Sequence, residues 1–164
     1  MLGTRFYNES IRKVLVAFGS LFNNIDIQRS DGTNTEIIKV PLSYAPRARF
    51  RQRLAADQKE GTEVEVSLPR MSFEFTGLTY DPSRKVTTTQ QIVVKDPTDG
   101  TETKKQYMPV PYNMQFELAL MCKMNDDALQ ITEQILPYFQ PAYNLTIELV
   151  SGLKEKRDVP IVLE

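Results

Sequence analysis

From Ile11 the apolar residues Ile11, Val14, Leu15, Phe18, Leu21, Phe22 and Ile25 recur at intervals of three and four. That spacing gathers them into one stripe on one face of a helix, with Asn8 or Ser10 as the expected cap. The period then shortens: residues 25–29 and 35–44 predict two strands, and Ser30-Asp31-Gly32-Thr33 between them supplies an Asp-Gly turn, so this stretch predicts a hairpin. Pro46, followed by Phe50, Leu54 and Ala55 on one side, predicts a short helix to about Lys59 that Gly61 ends.

Beyond Gly61 the pattern alternates. Val64, Val66 and Leu68 are interleaved with Glu63, Glu65 and Ser67, and Met71, Phe73 and Phe75 with Ser72, Glu74 and Thr76, as half-buried strands require; Pro69 marks a break or an edge between them. Residues 86–107 are rich in Thr, Gln and Lys, carry the short apolar run Ile92-Val93-Val94, and hold the turn Asp96-Pro97-Thr98-Asp99-Gly100. This segment predicts a protruding β-hairpin arm. It has little apolar surface of its own to bury and is expected to order chiefly where it meets another surface.

Met114, Phe116, Leu118 and Leu120 alternate with Gln115, Glu117 and Ala119 and predict another strand. Asp126 and Asp127, well placed for the helix dipole, open a helix bearing Leu129, Ile131, Ile135, Leu136 and Tyr138, and Pro137 and Pro141 limit or kink it. Residues 145–150 and 159–163 are the last strands, joined by Ser151-Gly152 and the charged run 154–158. The order of elements predicts an α+β fold, a mostly antiparallel β-sheet covered by two or three helices, as one domain over 1–164 with an arm at 86–107.

Composition narrows the chemistry. A chain of 164 residues with 41% apolar residues suffices for one core, and a net charge of -1 with pI near 5.7 offers no bulk attraction to nucleic acid or an anionic membrane. No apolar run approaches the ~18 residues of a membrane span, so the chain is expected to be soluble and unexported, without a membrane partner. Histidine is absent, which removes the commonest general base and metal ligand, and the one cysteine, Cys122, allows no intrachain disulfide.

The serines therefore lack a histidine to activate them, and Cys122 is expected to be an ordinary half-buried strand residue. Carboxylate pairs such as Asp126-Asp127 and Glu63/Glu65 could do acid and base work, but adjacent acids at a helix start are expected to be capping groups; a metal-assisted site built on scattered acids is a weaker reading. Neither phosphate-binding glycine pattern occurs among the seven glycines. No catalytic residue, cofactor or metal is assigned, and the chain is not expected to be an enzyme.

One charge cluster stands out. Arg47 with Arg51 and Arg49 with Arg53 form two i, i+4 rows on the predicted helix, either a solvated face or a contact for an acidic protein surface or phosphate. With Tyr44 and Phe50 nearby it also supports an alternative reading, a nucleic-acid-binding module. The stretch 138–143, Tyr-Phe-Gln-Pro-Ala-Tyr, is expected to pack in the core rather than serve as a docking surface.

A resemblance runs through the chain in order: Phe6-Tyr7-Asn8 with Ser10, Leu21-Phe22, Asn24-Ile25 and Ile27 with Arg29, Val40-Pro41 with Tyr44-Ala45, and Leu68-Pro69-Arg70. It continues through Gln130-Ile131, the run from Glu133 to Pro141, Lys156-Arg157-Asp158 and Ile161-Val162-Leu163. Taken together these segments resemble the tail sheath stabiliser and completion proteins, or tail terminators, of contractile-tailed phages. The resemblance implies a structural virion protein at the tail–neck junction, assembled in the host cytoplasm. Its implied form is a homohexameric ring that caps tube and sheath, holds the sheath extended and joins the tail to the neck. The implied partners are further copies of itself, the tail sheath protein, the tail tube or tube terminator protein and the neck (head completion) protein, with genomic DNA passing through the lumen without specific binding. Members of that family continue with more strands where this chain stops at Glu164, as a shortened member or a fragment would. The 86–107 arm has no counterpart in the match, so its expected protein contacts, Ile92, Val94, Lys95, Asp99, Lys104 and Lys105 beside Arg47, Arg49, Arg51 and Arg53, rest on the sequence pattern alone.

Overall fold

The computed structural model describes residues 5, 7–30, 32–52, 67–95, 103–150 and 155–164. Helix α1 (Ser10–Leu21) leads into β1 (Asp26–Ser30), β2 (Thr35–Lys39) and β3 (Leu42–Tyr44), then a helix α2 described over 47–52. Next come β4 (Arg70–Tyr80), a 3-10 turn (Pro82–Arg84), β5 (Gln91–Lys95), β6 (Thr103–Tyr107) and β7 (Tyr112–Met121). Helix α3 (Asn125–Ile135), a 3-10 turn (Leu136–Tyr138), β8 (Ala142–Val150) and β9 (Glu155–Val162) complete the order. The fold is α+β. Its described strands form four small sheets, β1-β2, β3-β4-β7, β5-β6 and β8-β9, with every pairing antiparallel except β3 with β4.

The core lies where α1 and α3 cover these sheets. Phe18, Phe22, Ile25, Ile27, Val40, Met71, Phe73, Ile131 and Ile135 form one buried cluster, and Phe116, Leu118 and Leu120 of β7 pack against it. Phe18 is its centre, with ring centroids 5.2 Å from Phe22, 5.6 Å from Phe73 and 4.3 Å from Phe116, the last stacked. Helix α1 comes unusually close to the sheet here because position 19 is glycine: a Cβ on Gly19 would sit 2.8 Å from Cζ of Phe73. Along β4 and β7 the register sets Phe73 against Leu118 and Phe75 against Phe116, the alternation that the sequence displays, and a bulge between Phe75 and Gly77 shifts it by one residue.

Several expectations are corrected. The run 35–44 is two strands, because the backbone leaves β1 after Val40: the Pro41 carbonyl, which faces away from β1, accepts from Met71 N at 2.9 Å, and β3 turns to run parallel with β4. Neither Asn8 nor Ser10 caps α1; the cap position is Glu9, at φ 54 with no side-chain cap hydrogen bond. The charged run 154–158 is not a plain connection, since β9 begins at Glu155 and sets Arg157 opposite Ile147 and Asp158 opposite Thr146. Of the strand expected at 64–68, residues 64–66 lie outside the described residues, and Leu68–Pro69 forms a bend with a cis peptide leading into β4. Phe139 packs as expected, 6.4 Å from the Phe22 ring and 6.2 Å from Tyr143, whereas Tyr138 beside it is 68% exposed.

Candidate interaction surfaces

Pro46 starts α2, whose first turn is closed by Arg49 N donating to the Pro46 carbonyl at 3.0 Å. The helix is anchored by Phe50, buried to 6%, over whose ring the Arg70 guanidinium lies 5.5 Å from the centroid. At ~100° per residue, Arg47 and Arg51 project to one side of Phe50 and Arg49 to the other. All three are exposed and make no ion pair among the described residues. Arg53, the second member of the other expected row, lies outside the described residues. Arg70 adds a cation to this surface that spacing alone did not reveal, and its Nε has no hydrogen-bond partner among the described residues.

Within the segment 86–107, expected to form an arm, β5 and β6 pair as a separate two-stranded antiparallel sheet. Ile92 is half-buried, Val93 is 56% exposed, and Lys105 and Tyr107 are exposed. Asp99 lies outside the described residues, as do the side chains of Val94, Lys95 and Lys104. The root of the arm is tied down by a polar knot. Asp81 Oδ1 accepts from the backbone N of Ser83 at 2.9 Å and from its hydroxyl at 2.6 Å, and Arg84 Nε donates to Asp81 Oδ2 at 2.5 Å. The Arg84 guanidinium also bonds to Asn113 of β7. The Ser83 hydroxyl first, and then Arg84, hold the Asp81 carboxyl down to a pKa of about 2 against the opposing effect of burial.

The two edges of the β1-β2 sheet are treated differently. Gln130 on α3 presents its side-chain amide to β1 as a strand would: its Oε1 accepts from Gln28 N and its Nε2 donates to Gln28 O, both at 3.0 Å. Gln134 donates to Asp26 O at 2.8 Å. On the other side β2 has no strand neighbour among the described residues, and its Ile37 side chain is 72% exposed. At the end of β2 lies an open hollow of about 460 Å³ lined by residues that include Ile38, Lys39, Pro41, Leu68 and Pro69.

Asp127 is not the capping group expected of it. It is buried to 1% and ion-paired with Arg29 of β1 at 2.6 Å. The sequence does carry the signal: Asp127, Ile131 and Ile135 form an i, i+4 row on the buried side of α3, and Arg29 is in phase with the buried Ile25 and Ile27. An acid on an inward row and a base on an inward strand position call for each other. Asp126 stays at the surface and accepts from Gln130 Nε2 at 2.9 Å. Cys122, one residue beyond β7, is half-buried, and burial pushes its thiol up. Among the described residues no group of three or more acids and cysteines is placed to hold a metal ion. The arrangement offers backbone edges, an arm and a basic helix, which are means of contact.

The T4-like virus Myoviridae tail sheath stabiliser family matches residues 5–164. The chain belongs to that family. It is also 34% identical, over 96% of its length, to the tail completion protein gp15 of Enterobacteria phage T4, and the alignment spans 60% of that relative. As a member of the tail sheath stabiliser family the chain is thus placed among structural components of the phage tail. Membership accounts for the ordered run of matching segments along the sequence, from Phe6 to Leu163.

Proposed function

We propose that this chain is a non-catalytic virion protein that closes the head-proximal end of a contractile tail. In this reading six copies form a ring that caps the tail tube and last sheath ring, holds the sheath extended and meets the neck protein, with DNA passing through the lumen unbound. The observation that carries it is the family match over residues 5–164. The physics of the surface agrees with it. A closed ring needs two different patches on one subunit that meet head to tail, and the chain offers the β5-β6 hairpin and, among the described residues, a β2 edge without a strand neighbour and a basic helix without an ion pair. The arm and the arginines Arg47, Arg49 and Arg51 are the proposed contacts with neighbouring copies, sheath or neck.

The test is the mass of the purified chain by light scattering, with negative-stain imaging in the presence and absence of polymerised tube and sheath. Six-fold rings, alone or at one end of tails, are expected. Deleting 95–104, the end of the arm, should weaken ring or sheath assembly and leave the monomer folded; unchanged assembly would remove the arm from the interface.

A second reading, a nucleic-acid-binding module, draws on Arg47, Arg49 and Arg51, exposed and without an ion pair among the described residues, beside Arg70. It predicts affinity for DNA that falls steeply with salt. A monomer that ignores tails and binds DNA in this way would favour it. Reversing the three arginines to Glu then abolishes DNA binding, whereas in the ring reading it weakens protein contacts.

A further inference from the structure

We propose that the unpaired edge of β2, centred on Ile37, is the receiving site for strand β5 of the arm of a second copy, so that neighbouring subunits share a continuous sheet. This rests on the ring reading and supplies the surface on which the arm lands.

The ladder between β1 and β2 decides which backbone groups face out of the sheet. Val40 N donates to Ile25 O at 2.9 Å, which continues the ladder that pairs Ile27 with Ile38 and Arg29 with Glu36. In an antiparallel pair the residues between bonded positions point their N–H and C=O away from the partner. Asp26 and Gln28 of β1 therefore face outward, and Gln130 and Gln134 answer them. Thr35, Ile37 and Lys39 of β2 face outward as well, and no backbone partner answers them among the described residues. A row of open donors and acceptors beside a 72% exposed isoleucine is a template for strand addition.

The ladder of the arm gives the complement. Met108 N donates to Gln90 O at 3.1 Å, which makes Ile92 and Gln106 a bonded pair and turns the backbone of Gln91, Val93 and Lys95 outward along β5. Both strands have five residues. Set antiparallel with Ile37 opposite Val93, the outward groups of one meet those of the other, and the two exposed β-branched side chains lie side by side. On the opposite face the same register sets Ile92 beside Ile38, at the mouth of the hollow that Ile38 helps to line. The other arm strand is the poorer donor: Lys105, exposed on β6, is the kind of charge that keeps an edge from pairing. An isolated two-stranded hairpin is marginal in water, so a third strand also stabilises the arm itself.

The experiment uses the full chain with Cys122→Ser, carrying either Ile37→Cys or Val93→Cys, mixed under mild oxidation and read by non-reducing electrophoresis beside light scattering. Residues opposite one another at ~5.5 Å between Cα atoms fall within disulfide range. The mixture should yield a covalent dimer that neither variant forms alone, and the double variant should yield a ladder ending at the mass of the ring. Rings without a cross-link, or a cross-link in one variant alone, overturn the proposal and leave the ring reading standing. Absence of both ring and cross-link, with or without tails, overturns both. Ile37→Pro removes an N–H that β1 does not use; a folded monomer that no longer forms rings is expected, and rings that persist overturn the proposal. Should that variant fail to fold, the cysteine pair decides.

Discussion

The Arg29 guanidinium grips the buried Asp127 carboxylate with two parallel bonds, Nε to Oδ1 at 3.2 Å and Nη2 to Oδ2 at 2.6 Å, and so ties β1 to α3. The fork geometry suits a carboxylate better than any lysine would. The two partners differ in exposure, with Arg29 at 32% and Asp127 at 1% of the side chain accessible. That asymmetry predicts an order of effects. Asp127→Ala leaves a cation that water can still reach and should cost about 2 kcal/mol. Arg29→Ala strands an enclosed carboxylate and should cost more. Replacing the pair by Met and Leu should recover most of either loss, because the fully apolar alternative carries no desolvation penalty. Urea unfolding of the four proteins checks the order, and equal losses from the two alanine variants would remove the burial argument.

Gln130 protects a strand edge at the cost of one flexible side chain. Its bonds to Gln28 are exposed, so in Gln130→Leu water replaces them and the folding loss should stay near ~1 kcal/mol. The larger consequence is an opened β1 edge. Self-association that rises with protein concentration, and that the parent does not show, is expected by light scattering. Stability lost without association would mean that the edge is shielded by other means.

Phe18 joins α1 to both main strands of the central sheet through Phe73 and Phe116. Truncation to Ala removes an aromatic ring from a cluster with little room to close, and about 3–5 kcal/mol should be lost. Calorimetry or urea unfolding measures it. Phe18→Leu should cost distinctly less, since it keeps most of the volume.

Those elements were legible because their signal is local. The stripe from Ile11 to Phe22 gave α1, alternation from Met71 to Phe75 and from Met114 to Leu120 gave β4 and β7, and the polar segment around Ile92 gave the arm. What was not legible depends on partners far away in the chain. Thr35 to Tyr44 carries one continuous strand pattern, and only the parallel docking of Leu42 on Met71 shows that Pro41 divides it. The charges of β9 suggested a loop because solvent-facing strand positions and loops are polar for the same reason. Arg47, Arg49 and Arg51 were found by spacing, but Arg70, which stacks on their anchor Phe50, lies twenty residues from it and no spacing rule connects them. The capping of one sheet edge by Gln130, and the absence of such a cap beside Ile37 among the described residues, emerges only once α3 is laid against β1.

The knot at Asp81 makes the root of the arm sensitive to acid. A carboxyl held at about 2 in the folded protein, against 3.8 when free, contributes stability that is complete above the free value and is lost as pH falls through 2. The group sits in the turn between β4 and the arm, so what loosens first should be the arm's root and not the core. A carboxyl-detected NMR titration of the full chain should place Asp81 near 2, and amide exchange at 82–90 should quicken across the same interval. Ser83→Ala removes the strongest of the bonds that hold the carboxyl down and should move its titration upward toward 3.8. Asp81→Asn should show the loosened root at neutral pH and no further change on acidification. If the exchange rates of 82–90 are the same in Asp81→Asn as in the parent at pH 7, the Asp81–Ser83–Arg84 contacts are a consequence of how the arm sits and do not hold it there.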